Sequence, residues 1–202
     1  ISSHGCGLVN IIDPTSAATA ELLFLFQQQA KLTLSKDAAT CLLTGIITDT
    51  ASFQHSSTTP RTMEVAAVLL RAGAIPETII RPIFRTQPLA QMRFRSLVIE
   101  KAQTACDGRL IWSYANDEML TTAGATADMD DNFSATLRDV EGVQIAVLFK
   151  SYGDPQTTRM SIRSAEPYNA ATICGRFGGG GHARAAGATL SFPLKEAMSM
   201  VI

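Results

Sequence analysis

The chain has 202 residues, 46% of them apolar and 17% charged, which is enough for one large or two small domains and excludes a disordered polymer. A formal net charge of −1 excludes a global cationic field for long nucleic acid, so any nucleic-acid ligand should be short and held in a local pocket. The longest aliphatic–aromatic run, Leu22 to Phe26, is far too short to span a bilayer, so no membrane partner is expected. The four cysteines, Cys6, Cys41, Cys106 and Cys174, lie far apart without a Cys-x-x-Cys pair. They read as reduced, mostly structural thiols of a cytoplasmic protein. The chain opens at Ile1 without an initiator methionine and stops at Ile202, and it reads as a piece of a longer protein.

Taken in order, residues 8–12 are expected to form a short strand stopped by Asp13-Pro14. Thr15 or Ser16 should then cap a helix to about Gln29. Ser35 caps the next helix, where Ala39, Leu42, Leu43 and Ile46 share one face, and it ends near Asp49-Thr50. Thr59-Pro60 has cap-then-first-turn chemistry, and Val65, Val68, Leu69 and Ala72 keep the helical period until Gly73. Pro76 starts another helix that buries Ile79, Ile80 and Ile83, and residues 88–105 follow as a helix of mixed polarity. The pattern then changes to strands at 109–115, 143–150 and 157–163, the last two flanking the hairpin signal Tyr152-Gly153-Asp154-Pro155. Pro167 opens a helix to about Arg176, a glycine run follows, and 187–192 makes a final strand. The fold class is α/β, with a mostly helical part at 1–87, a connector helix at 88–105 and a smaller domain with a mixed sheet at 106–202.

Three features could carry chemistry. Gly178-Gly179-Gly180-Gly181 gives up side-chain packing and offers bare backbone N–H groups that can converge on a phosphate, with His182 beside them as a further donor. A flexible connector is the alternative, but this run sits between a tight helix and a core strand. Asp49 stands just past an apolar helix face, at the wrong end of the helix dipole, and is either a turn aspartate or a ligand for a hard divalent cation. Alternation in 157–163 puts Met160 and Ile162 on one face and Arg159, Ser161 and Arg163 on the other. Arg163, with Ser164 after it, is either part of a solvated face or a fork for a phosphate near His182. Asp128, Asp130, Asp131 and Asn132 lack the glycine and glutamate of a calcium loop and read as solvated. Neither a Gly-x-Ser-x-Gly elbow nor a Walker motif is present.

Together these residues resemble the DHH-family phosphoesterases of the RecJ-like superfamily, in the branch of oligoribonucleases and pAp phosphatases. Asn10–Pro14 through Ala18–Leu22 is similar to the segment after that family's Asp-His-His signature. Gly45 to Asp49-Thr50 and Phe53, then Ser57 to Thr62, is similar to its last metal-ligand motif. Arg163-Ser164 with Gly178–His182 and Ala185-Ala186-Gly187 is similar to the substrate motif of its DHH-associated C-terminal domain. The resemblance implies two divalent ions, manganese or in its place magnesium, with Asp49 among their ligands. It implies Gly178, Gly179, Gly180, Gly181, His182, Arg163 and Ser164 around a substrate phosphate, and a helix 88–105 that lets two domains close. The implied activity is hydrolysis of short oligoribonucleotides or pAp, with a cyclic- or linear-dinucleotide phosphodiesterase and a non-catalytic nucleotide- or RNA-binding module as the other readings. The family's earlier ligands are absent here, and one aspartate cannot hold two cations that each want about six ligands. The chain is therefore expected to be a catalytically incomplete, substrate-binding fragment. Apolar residues near both ends leave room for a homodimer.

Overall fold

Side-chain caps set where two helices of the first half begin, at Ser35 and at Thr59. The computed structural model describes Gly7, residues 9–130 and residues 132–202, in two units divided between Thr86 and Gln87. In the first unit α1 (Thr19–Gln29) starts later than Thr15 or Ser16 would place it. The Asp13 carboxylate accepts from the Thr15 N–H at 2.9 Å and from the Ser16 hydroxyl at 2.9 Å, so both residues close a turn instead of capping the helix. Helix α2 (Lys36–Asp49) is capped as expected, with Ser35 Oγ accepting from Ala38 N–H. Helix α3 (Pro60–Arg71) carries a full capping box between Thr59 and Thr62. Gly73, at φ +101°, turns the chain after it.

Helix α4 (Pro76–Ile80) runs into a π-turn at Arg81–Arg85. That turn leaves Ile83 exposed rather than buried, because the wider winding rotates it off the apolar face. Phe24, Leu43, Ile46, Ile47 and Leu69 form the core of this unit. Gly45 lets α1 and α2 meet: a Cβ there would lie 2.7 Å from that of Ala20. Among the described residues of 8–12 the expected strand is not formed. Leu8 lies outside the described residues, and Val9, Ile11 and Ile12 are exposed. Strand propensity alone makes no strand where no ladder is offered, and the regular elements described in this unit are all helices.

The second unit is a six-stranded mixed sheet, ordered β1-β2-β3-β4-β6-β5. Its strands are β1 (Gln103–Ala105), β2 (Leu110–Asn116), β3 (Ile145–Ser151), β4 (Thr158–Ser164), β5 (Gly180–His182) and β6 (Ala185–Leu190). Among the described strands only β2 and β3 pair in parallel, through a crossover holding α6 (Asp117–Ala123) and α7 (Phe133–Arg138). On one face Ile111, Ala115, Ala146 and Leu148 pack under α6, α7 and α5 (Leu89–Glu100), which contributes Phe94 and Val98. On the other, Val147, Phe149, Met160, Ile162 and Leu190 pack under α8 (Ala170–Gly175) and α9 (Leu194–Val201).

Several boundaries move. The helix read over 88–105 stops at Glu100, and Gln103–Ala105 turns back through Cys106-Asp107-Gly108, all at positive φ, to edge the sheet. The helix placed at Pro167 starts at Ala170, where Asn169 Oδ1 caps Thr172 N–H at 3.1 Å. The final strand is Ala185–Leu190 rather than 187–192. Cys174 is buried beneath the sheet, while Cys41 and Cys106 are exposed thiols rather than core residues.

Candidate functional site

Strand register builds the site. Along β4, Arg159, Ser161 and Arg163 face the α5–α7 side of the sheet, and Met160, Ile162 and Ser164 face α8. Arg163 pairs across to Ala185 on β6, which pairs to His182 on β5. Ser161 pairs to Gly187, which pairs to Gly180. Two rows result: an arginine and a histidine on either side of an alanine, and beside them a floor of serine and two glycines. A cavity of about 360 Å³ opens over that floor, lined by Arg163, Ser161, Gly180, Gly181 and Gly187. Its arginine and the exposed His182 have no partner among the described residues.

The glycine run is an edge strand, not the cradle of converging amides expected. Gly178 and Gly179 donate their N–H groups to Gly175 and Cys174 carbonyls at the end of α8, at 3.2 and 2.9 Å. Gly180 to His182 then pair with β6. Glycine is required at 179 because a Cβ would sit 2.2 Å from the Gly187 carbonyl oxygen. At Gly180 a Cβ would meet nothing within 4 Å. That position is bare toward the cavity for a reason packing does not supply.

Ser164 does not join this group. A one-residue step along a strand reverses the face, and the Ser164 hydroxyl is buried between the carbonyl oxygens of Tyr168, at 3.1 Å, and Ala183, at 2.9 Å. Its work is to hold the end of β4 against the β5–β6 hairpin.

Residues to which the sequence assigns no binding role sit at the other end of the same face. Arg159 is cross-strand from Lys150 and Thr189. Lys150 Nζ pairs with Asp130 at 3.0 Å, in contrast to the expectation of a fully solvated acidic loop. Tyr152 Oη is buried without a hydrogen bond among the described residues, and burial with the nearby Asp130 carboxylate pushes its ionisation well above the usual phenol range. The even spacing of Arg159, Ser161 and Arg163 was the available signal, but it does not reveal Lys150, which requires the β3–β4 register.

In the first unit Asp49 ends α2 with an exposed side chain, and its backbone carbonyl lies 3.1 Å from His55 Nδ1. It lines a cleft of about 290 Å³ with Asp13 and Ser16. Asp13 is already held by Arg61, whose Nε also donates to the buried Glu21 at 2.5 Å. Glu21 accepts further from Ala17 N–H at 3.1 Å and the Thr62 hydroxyl at 3.0 Å. No three carboxylate, imidazole or thiol groups among the described residues come together as a cation would need. These residues do not fit a two-ion centre, and Asp49 alone offers one ligand. No helix among the described residues is long and apolar enough to cross a membrane.

Residues 109–199 match the family model described as the DHHA1 domain. The chain is 34% identical over 195 residues to a bifunctional oligoribonuclease and PAP phosphatase NrnA of Thermus thermophilus, covering 94% of this chain and 57% of that protein. It is 32% identical over 180 residues to a cyclic-di-AMP phosphodiesterase PdeA of Listeria monocytogenes, covering 88% of this chain and 26% of that one. A crystal structure of an exopolyphosphatase-related protein from Bacteroides fragilis shares the fold, with a TM-score of 0.86 at 21% identity over 95% of this chain and 57% of that one. The chain thus spans little more than half the length of the first of these relatives.

Proposed function

From a chain that belongs to the DHH family and carries a DHHA1 domain at residues 109–199, we propose the nucleotide-holding part of a metal-dependent phosphoesterase acting on short oligoribonucleotides or pAp-type nucleotides. The observation that carries this reading is the row Arg163–Ala185–His182 beside the bare Gly180–Gly187 floor. A guanidinium presents two parallel donors to a phosphate, and an unpartnered histidine on the same face adds a third from the side. Glycine at 180 lets the anion reach the strand itself. Manganese or magnesium would supply the water activation in such an enzyme. Because the described residues assemble no centre for it, no hydrolytic step is assigned to them; their part is to bind and orient.

Calorimetric titration of the chain with pAp tests the holding role. Saturable binding is expected, and Arg163→Ala or His182→Ala should weaken it by about tenfold or more, the scale of one charge-assisted hydrogen bond, with the melting temperature unchanged. Equal affinity of variants and wild type overturns the reading. Manganese-dependent release of mononucleotide from a 5′-phosphorylated oligoribonucleotide tests the rest. No turnover is expected from this chain alone; turnover abolished by Asp49→Ala would show that its own residues complete the centre.

A further inference from the structure

The first unit holds a cavity that the phosphate site does not use. It measures about 900 Å³ and lies between the turn after α2 and the π-turn at Arg81–Arg85. One wall is Ile80, Arg81, Phe84 and Arg85. The wide winding of a π-turn brings residues four apart closer to one line than an α-helix does, so this wall divides into two strips. Ile80 and Phe84 make the apolar strip, and Arg81 and Arg85 make the cationic one.

The opposite wall is stiff. Ala51, Ser52 and Phe53 follow one another at φ +48°, +61° and +67°, a left-handed run without glycine. The Ser52 N–H donates to the Ile47 carbonyl at 2.8 Å and the Phe53 N–H to the Thr50 hydroxyl at 2.9 Å, so neighbouring groups fix the strained turn. Ser52 and Gln54 line the cavity from this side, with side chains that make no hydrogen bond among the described residues. Glu77 lines it too, four residues before Arg81. The ion pairs among the described residues use none of Glu77, Arg81 and Arg85. Were Glu77 to turn to Arg81, Arg85 would still be uncompensated.

These walls describe an occupant. A bare inorganic anion would pair with the arginines and leave the Ile80–Phe84 strip wet. A neutral hydrocarbon would cover that strip and desolvate two guanidiniums without a counter-charge. A flat aromatic body with one anionic head answers both strips. Its ring packs on Phe84, and its head takes the guanidinium forks, with the Ser52 hydroxyl and the Gln54 amide as further donors. The volume is in the range of small-ligand pockets, which run from about 300 to 1,000 Å³. We propose that the cavity between Ser52 and Arg85 is a binding site for an aromatic organic anion. It shares no residue with the phosphate trough and does not rest on the nucleotide reading.

The probe is anilinonaphthalene sulfonate, a set of aromatic rings with one anionic head, titrated into the full chain and followed by its fluorescence. Saturable binding is expected. Arg85→Ala should weaken it about tenfold and Phe84→Ala about three- to tenfold. Both residues are exposed, and an unchanged melting curve shows that each variant has folded. Phenylnaphthylamine, the same rings without the sulfonate, should bind at least tenfold more weakly, and inorganic sulfate should not displace the probe. Probe binding that neither variant changes overturns the inference. So does equal binding of the neutral rings, or displacement by sulfate at the probe's own concentration. Arg163→Ala should leave the probe untouched, and Arg85→Ala should leave pAp affinity at the wild-type value. A probe lost with Arg163→Ala and kept with Arg85→Ala lies in the trough, which refutes this site and leaves the phosphate reading standing.

Discussion

One group of charged side chains in each unit is treated in opposite ways. In the first, Asp13, Glu21 and Arg61 satisfy one another, with Ser16, Thr62 and the Ala17 amide filling the remaining bonds. In the second, Arg159, Arg163 and His182 stand on one sheet face with no protein partner among the described residues. A charge that is fully answered inside the protein fixes a loop to a helix. A charge left unanswered over a glycine floor is available to a ligand. The comparison sets the scaffold we propose for the first unit against the phosphate site we propose for the second.

The largest effect that would break this comparison lies at Arg61. Arg61→Ala strands the Glu21 carboxylate at 0% exposure with only an amide and a hydroxyl. Removing one partner of such a pair should cost about 3 kcal/mol or more of stability. The loss should appear in thermal unfolding of the first unit and leave nucleotide affinity unchanged. Reduced affinity at unchanged stability would move Arg61 from scaffold to site. Glu21→Leu combined with Arg61→Ala should recover part of the loss, because it removes the stranded charge as well.

Adjacent glycines provide the next contrast. Gly179→Val forces a side chain into the Gly187 carbonyl and should destabilise the second unit by about 1–3 kcal/mol. Gly180→Val meets open space and should leave the melting temperature nearly unchanged while filling the trough and lowering phosphate affinity. Matching losses of stability in the two variants, measured by differential scanning calorimetry, would show that the run is only a packing device.

Much of this was legible in the chain, and the limits are physical. Ser35 and Thr59-Pro60 marked helix starts because capping is local chemistry that needs no tertiary context. Alternation located Arg159, Ser161 and Arg163 on one face for the same reason. What remained hidden depends on strands far apart in sequence. Nothing near Lys150 reveals that it will stand opposite Arg159, and β5 is illegible because a strand made of glycine has no alternation to read. Ser164 is next to Arg163 in sequence, but strand geometry sends neighbours to opposite faces, so the two do not share a site. Thr15 and Ser16 have the chemistry of helix caps, but Asp13, two or three residues earlier, uses the same chemistry to close a turn.

The smallest predicted effect sharpens the comparison at its weakest point, since Asp13 shares a cleft with Asp49. Hydrogen bonds from Thr15 first, then Ser16 and Arg61, hold the Asp13 carboxyl well below the ordinary carboxylate range. A depressed folded-state value means that the ionised form stabilises the fold. That contribution is fully present above the unfolded-state value of about 3.9 and is lost as pH falls through it toward the folded one. Acid unfolding of Asp13→Asn should therefore show a shallower loss of stability below about pH 4 than wild type, from a slightly lower plateau at neutral pH. Manganese should leave both curves where they are if Asp13 is scaffold, because its oxygens are already engaged by three partners. A manganese-dependent shift in the wild-type acid limb that Asp13→Asn removes would make Asp13 a ligand alongside Asp49, and the first unit would then hold part of the chemistry as well as the frame.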